Sequence, residues 1–206
     1  MDAPHGMNDA QLTETCISSE LILDGNFLKV RRDLVRLPDG SQATREYVVH
    51  PGAVMIIAQL DDGRLVMERQ YRYPVARVMI EFPAGKLDPG ESSLTCAQRE
   101  LLEETGYSAR EWSCAGQLHM VIAYSTEFID VWFARGLTLG ERRLDEGEFL
   151  DVFTATTSEL LAWSFQGQLT DAKTLTGLLW LQNVAAGHWS LDWQGSDTHP
   201  IGLLQA

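Results

Sequence analysis

The chain is short of positive charge and has no long apolar run. Of its 206 residues, 16 are Lys or Arg and 29 are Asp or Glu, a formal net charge of −13. That balance argues against a broad cationic face for nucleic-acid phosphates. No segment approaches the ~18 consecutive apolar residues of a membrane span. The opening MDAPHGMNDAQLTETC has neither the basic stretch nor the apolar core of a signal peptide. The expected setting is cytoplasmic, with no nucleic-acid and no membrane partner. Cysteine is scarce: Cys16, Cys96 and Cys114 are an odd number, with no CxxC pair and no zinc spacing, which fits reduced thiols. Cys96 precedes an acidic cluster, but no His stands near it in sequence to activate it as a nucleophile.

What is present is globular. Hydrophobic residues make up 45% and charged residues 22%, enough for one domain with a small appendage. Residues 1–16 are polar and expected to be loose. SELIL, FLKVRRDLVRL and TREYVVH, separated by DGN and PDGSQ, read as three antiparallel strands joined by tight turns over residues 17–50. AVMIIAQL and RLVMERQYR, around DDG, read as a further hairpin. VMIEFPA is a short strand, and CAGQLHMVIAYSTEFIDVWFARGL is a hairpin or two longer strands. LDEGEF is an acidic loop before the strand LDVFTAT. TSELLAWSFQG reads as a helix, as does AKTLTGLLWLQNVAAG behind an Asp171 cap. In that last helix Leu175, Leu178, Leu179 and Leu181 form the apolar face, and Trp180 is a core or interface residue. The tail 188–206 shows no pattern.

The informative stretch is GKLDPGESSLTCAQRELLEETGY, Gly85 to Tyr107. Ser92 reads as the cap and Gly106 as the C′ residue of a helix whose stripe of Leu94, Ala97 and Leu101 faces a core. Glu100, Glu103 and Glu104 crowd its other faces, and like charges three or four apart cost a helix roughly 0.2–0.5 kcal/mol per pair. Arg99 offsets part of this through Glu103 at i+4. Two readings are open on these residues alone. A solvated acidic face is the common one. Carboxylates one turn apart, beside a Gly- and Pro-rich loop that exposes carbonyls, would suit a hard cation such as Mg²⁺ or Mn²⁺.

The wider spacing weighs the second reading up. Gly85, Glu91, Arg99-Glu100-Leu101, Glu103-Glu104, Gly106 and Tyr107 resemble the Nudix box of the Nudix hydrolases, G-x5-E-x7-R-E-U-x-E-E-x-G-U, where U is aliphatic. Tyr107 is aromatic where Ile, Leu or Val is usual, a departure that touches packing. RQYRYPV, IEFPAGKLDPGE, IAYSTEFIDVWFARGL and the acidic loop before LDVF are similar to the ADP-ribose pyrophosphatase branch.

The resemblance implies an α/β fold: a Nudix α/β/α sandwich with a mixed sheet over residues 51–206, plus an N-terminal antiparallel β-subdomain over 1–50. It implies Mg²⁺-dependent (or Mn²⁺-dependent) hydrolysis of ADP-ribose or a related nucleoside diphosphate sugar. GDP-mannose, ADP-glucose or another nucleotide sugar is the alternative within enzymes, and a non-catalytic nucleotide-binding sensor the alternative outside them. By the same resemblance the metal ligands are the Ala84 carbonyl, Glu100, Glu103, Glu104 and, from the acidic loop, Glu148. Glu146 is the base that activates water, acting with Glu103 and Glu104. Gly85, Glu91, Arg99 and Gly106 are structural within the motif. Arg72 grips a substrate phosphate, and Glu81 holds that Arg or a ribose hydroxyl. Arg69 and Glu127 are further substrate-side residues, Arg69 being open to reading as a plain strand-surface charge. Phe27 and Tyr47 are candidates for stacking on the base. The small N-terminal sheet needs a partner surface, so a homodimer is expected.

Overall fold

The computed structural model describes residues 9–144 and 146–196. They form two compact units: one runs to His50 and takes in Val121–Glu127, and the other holds Pro51–Met120 and the chain from Phe128 onward. Among the described residues no helix is long and apolar enough to cross a membrane.

In the first unit, β1 (Thr15–Asp24), β2 (Lys29–Arg36) and β3 (Gln42–Val49) make an antiparallel sheet in the order β1-β2-β3. The Asp-Gly signals fall in its turns. The strand begins earlier than the polar composition of residues 1–16 suggests: a short 3₁₀ turn at Asp9–Gln11 precedes it, and residues 1–8 lie outside the described residues. Cross-strand hydrogen bonds carry β1 from Thr15 despite its polar start, because ladder pairing with Arg36 and Val35 needs no apolar side chain. Val121–Glu127 is tied to β3. The Val48 N–H donates to the Tyr124 carbonyl at 2.8 Å, the Thr126 N–H to the Val48 carbonyl at 3.0 Å, and the His50 N–H to Thr126 Oγ at 2.9 Å.

The second unit holds β4 (Ala53–Ala58), β5 (Leu65–Arg72), β6 (Arg77–Glu81), β7 (Ala84–Lys86), α1 (Ser93–Thr105), β8 (Tyr107–Leu118), β9 (Ile129–Leu139), β10 (Leu150–Ala155), α2 (Thr157–Phe165), α3 (Ala172–Ala185) and β11 (Gln194–Gly195). The hairpin expected of β4 and β5 does not form. The two strands are linked by an isolated bridge at Gln59 and Leu65 and then part into different sheets, β11-β8-β9-β4-β7 and β10-β5-β6. All six residues of β4 are buried, so it takes a central place, parallel to β9 and antiparallel to β7, as a near-continuous apolar strand does. β5 loses its burial after Glu68 and pairs with β6 and β10 instead.

The alternation of side chains along β4 and β5 sorts the core into two layers. Met55, Ile57, Leu65 and Met67 pack with Leu160 of α2 and Leu178 and Leu181 of α3. Val54, Ile56 and Val66 pack with Leu94, Ala97 and Leu101 of α1. Helices on both faces of the strands make the α/β/α sandwich. Leu179, expected on the apolar face of α3, is 54% exposed; Leu175, Leu178 and Leu181 suffice to cover one stripe. Trp180 packs against that core and meets Trp189 edge-on at 5.8 Å. The tail is patterned after all: β11 pairs with β8, and Trp193 beside it lies 3.9 Å under the Arg135 guanidinium. Residues 197–206 lie outside the described residues.

One buried contact sets the path of the chain into β7. Thr174, at the start of α3, accepts from the Phe82 N–H at 3.1 Å and donates to the Asp171 cap at 2.6 Å. Replacing it with a near-isosteric apolar residue leaves a buried N–H unpaired, which costs about 1–3 kcal/mol. Thr174→Val should therefore lower the urea midpoint by that amount of stability at unchanged m-value. A wild-type midpoint would contradict this anchor.

Candidate active site

Helix α1 is capped as its sequence expects. The Thr95 N–H donates to Ser92 Oγ at 3.1 Å, and Gly106 closes the helix in the left-handed region at φ 76°, its N–H reaching the Leu102 carbonyl at 2.8 Å. A side chain at Gly106 would also meet the Gly140 carbonyl, 3.1 Å from an ideal Cβ. Leu94, Ala97 and Leu101 turn into the core, which leaves Glu100 and Glu104, one turn apart, facing β7 and the loop before the helix.

Two features at Ala84 and Gly85 receive those carboxylates. The Ala84 N–H donates to Glu104 Oε2 at 3.1 Å. An ideal Cβ on Gly85 would lie 1.9–2.3 Å from the Glu100 carboxylate atoms. Gly85 is required because the space a side chain would fill is taken by a carboxylate.

Arg99 gathers the remaining acids of the helix and loop. Its Nε and Nη2 donate to Glu91, each at 2.9 Å, and Nη1 to Glu100 at 2.8 Å and Glu103 at 3.1 Å, with Nη2 also reaching the Lys86 carbonyl at 3.1 Å. The hydrogen bonds from Arg99 hold the Glu91 carboxyl down to about 2 despite some burial. Glu91 is thus the anchor of Arg99, and Arg99 orients the glutamates. Cys96, beside it, is buried and donates to the Lys86 carbonyl. Burial and the Glu91 and Glu100 charges push its thiol up, away from the thiolate that a nucleophile needs.

A second set of charges lies on β5 and β6. Arg72 donates two parallel hydrogen bonds to Glu81, from Nε at 2.7 Å and Nη2 at 2.8 Å, and Lys173 of α3 also binds Glu81. Burial raises the Glu81 carboxyl, but these two cations outweigh it and hold it below the usual carboxylate range. Lys173 was not signalled by sequence. Neither was Glu68, which is only 4% exposed on β5 and has an Oε1 that is buried without a hydrogen-bond partner among the described residues.

The acids then act on one another. Burial first, then Glu68, Glu100 and Glu148, push the Glu104 carboxyl far above its ordinary value, and its hydrogen bond from Ala84 offsets little of this. Burial, Glu81 and Glu148 push Glu68 up. Burial also raises Glu100, although Arg99 opposes it. Glu148 of the acidic loop therefore bears on Glu68, Glu100 and Glu104. Glu146 is exposed in the turn beside it, and Asp145 lies outside the described residues. Arg69 is half exposed, 3.7 Å from Asp151, in a cleft shared with Arg142 and Glu148. Glu127, Phe27 and Tyr47 belong to the first unit. Glu127 lies 3.7 Å from His50, Phe27 is 63% exposed, and the Tyr47 hydroxyl donates to Asp33 at 3.0 Å.

The donor set is oxygen throughout, which suits a hard divalent cation. Among the described residues, no three acidic, His or Cys side chains form a ready-made cage; like carboxylates keep apart until a cation stands between them. The buried orphan oxygen of Glu68 and the glycine that makes room for Glu100 both fit such an ion.

The comparisons agree with this chemistry. The NUDIX domain model matches residues 49–175, and the Nucleoside diphosphate sugar hydrolase N-terminal domain model matches 14–48. The ADP-ribose pyrophosphatase of Bacillus subtilis is 37% identical over 173 residues, 83% of this chain and 94% of that protein. The methanol dehydrogenase activator of Bacillus methanolicus is 37% identical over 171 residues, 82% of this chain and 92% of that protein. A crystal structure of an ADP compounds hydrolase superposes with a TM-score of 0.76 at 24% identity, over 85% of this chain and 95% of its own, and speaks for the fold. A match over so much of its length makes this chain a member of the Nudix family, and so a hydrolase of the kind that generally uses divalent metal ions.

Proposed function

We propose that the enzyme hydrolyses the diphosphate of ADP-ribose or a closely related nucleoside diphosphate sugar, with Mg²⁺ as the ion and Mn²⁺ as a substitute. Water supplies an oxygen to one phosphorus, the bridging P–O bond breaks, and ADP-ribose gives AMP and ribose 5-phosphate. The observation that carries this reading is the convergence of Glu100 and Glu104 on Ala84–Gly85, with Glu148 acting on both and Arg99 holding the rest of the helix's charge. The substrate is supported by the name of the Bacillus subtilis relative and by the N-terminal match. The activator's name describes an effect on a dehydrogenase and identifies no bond.

In this reading Glu100, Glu103, Glu104, Glu148 and the Ala84 carbonyl hold the ions. When bound, divalent ions neutralise diphosphate oxygens and lower the pKa of water. Glu146, exposed on its turn, accepts the water's proton. Arg72 is fixed by its fork on Glu81 while its side chain stays 44% exposed, which suits bidentate contact with a phosphate. This favours Glu81 as the holder of Arg72 over a ribose contact. Arg69 and Glu127 complete the substrate side, with Phe27 and Tyr47 as the candidates for base stacking. Residues 1–50 serve as the nucleotide-side subdomain and 51–206 as the hydrolase domain. Three free cysteines fit the cytoplasm.

The function is tested with a panel of nucleotide sugars in Mg²⁺ and identification of both products. ADP-ribose should be cleaved fastest, and Glu104→Gln should lower turnover by at least ~100-fold, the upper end of what disturbing a metal site typically does. Near wild-type turnover of that variant in saturating Mg²⁺ would remove Glu104 from the ligand set.

The loop roles separate by kinetics. Glu146→Gln should lower kcat far more than it raises KM, since proton abstraction is a transition-state role. Glu148→Gln should chiefly raise the Mg²⁺ requirement. The opposite pattern would exchange the two roles.

The homodimer rests on the first unit. β1 is exposed at every position, with Ile17, Leu21, Ile22 and Leu23 among its exposed side chains, and an apolar surface of this kind calls for a partner. Light scattering should give twice the 23.0 kDa chain mass. A fully active monomer at micromolar concentration would rule it out.

A further inference from the structure

Glu68 is an expensive residue with no structural reward in view. It follows Leu65, Val66 and Met67, all buried, on β5. Leu65 and Met67 face the layer of α2 and α3, and Val66 faces the layer of α1. Period-two alternation puts Glu68 on the face of Val66, toward the helix that bears Glu100 and Glu104. Its cross-strand neighbour on one side is Val152, which packs in the α1 layer. On the other side it is Glu81, and like charges directly opposite destabilise a sheet.

Among the described residues, no cation is paired with Glu68 to offset this. Arg72 and Lys173 are the positive charges that act on Glu68, and both are bound to Glu81. Arg99 is bound to Glu91, Glu100 and Glu103. Glu104 has one backbone N–H, and Glu68 Oε1 has nothing among the described residues. An unpaired buried carboxylate is strongly disfavoured, and a valine in its place would pack at no such penalty. Of all the charges acting on Glu104, that of Glu68 is the strongest. The two acids that the protein's own cations leave unserved are therefore neighbours.

We infer that Glu68 is an additional carboxylate of the divalent-ion site, supplied from the strand opposite α1 and directed with Glu104 at the same ion. This rests on the reading of that site as an ion site. It gives the site an acid from outside the helix motif and the acidic loop.

The test measures Mn²⁺ binding to the substrate-free full chain by calorimetry, with the unfolding temperature in chelator and in Mn²⁺ beside it. Glu68→Gln keeps the shape and removes the charge; Glu68→Val removes the polarity as well. Both should unfold at or above the wild-type temperature in chelator, bind Mn²⁺ about 10- to 100-fold more weakly, and gain less stability from it. A carboxylate kept for structure alone would do the reverse, with a lower unfolding temperature in chelator and unchanged Mn²⁺ affinity, and that overturns the inference. Glu104→Gln distinguishes the two levels. If it loses Mn²⁺ while Glu68→Gln does not, Glu68 is no ligand and the ion site stands. If neither loses Mn²⁺, the ion site itself fails.

Discussion

Carboxylates that are taken out of water beside one another repel and lose hydration at once, and the second unit is organised around that penalty. Glu68 and Glu104 are each 4% exposed, and Glu81 is 3% exposed. Three cations are set around them in fixed assignments. Arg99 binds the acids of the helix face and loop; Arg72 and Lys173 bind Glu81. What remains is a pair of buried carboxyl groups, Glu68 and Glu104, with one backbone N–H and, among the described residues, no paired cation, at the junction of β5, β7 and α1. In the function proposed above, a divalent ion there would favour the ionised carboxylates and be screened by less water than on a solvated acidic patch.

The surrounding fold serves to hold that junction still. The all-buried β4 fixes β7 beside it, and Ala84 and Gly85 lie on β7 opposite Met55 and Val54. Phe82 is tied to the start of α3 through Thr174. The apolar stripe of α1 seals against Val54, Ile56 and Val66, so the helix cannot roll to relieve its glutamates. Gly85 leaves the gap that Glu100 enters. Stability and chemistry thus compete at one place, and the layers on either side carry the difference.

Much of this was legible in the sequence where spacing carries it. The cap, the core stripe, the helix-ending Gly106 and the Arg99–Glu103 pair follow from α1 as a string of residues. Long-range facts were not legible. A hairpin is the natural reading of AVMIIAQL-DDG-RLVMERQYR, because a tight turn between two β-formers says nothing of their outer neighbours. The partners of β4 lie more than 20 residues away, in β7 and β9. Glu68 is not legible in the sequence, because a charged residue ending an apolar run looks like the point where a strand emerges. Its burial depends on β6, β10 and α1 closing over it. One trace was there: with Leu65 and Met67 on one face, Glu68 had to share the other with Val66.

Locating the ion is the most direct check on the claim that buried carboxyl groups without a paired cation define this site. Crystals of the full chain soaked in Mn²⁺ alone would be read by anomalous difference maps. We expect the strongest peak at the Glu100 and Glu104 carboxylates beside Ala84, with Arg99 still bound to Glu91. A map whose only peaks lie on exposed acids away from this junction would contradict the account.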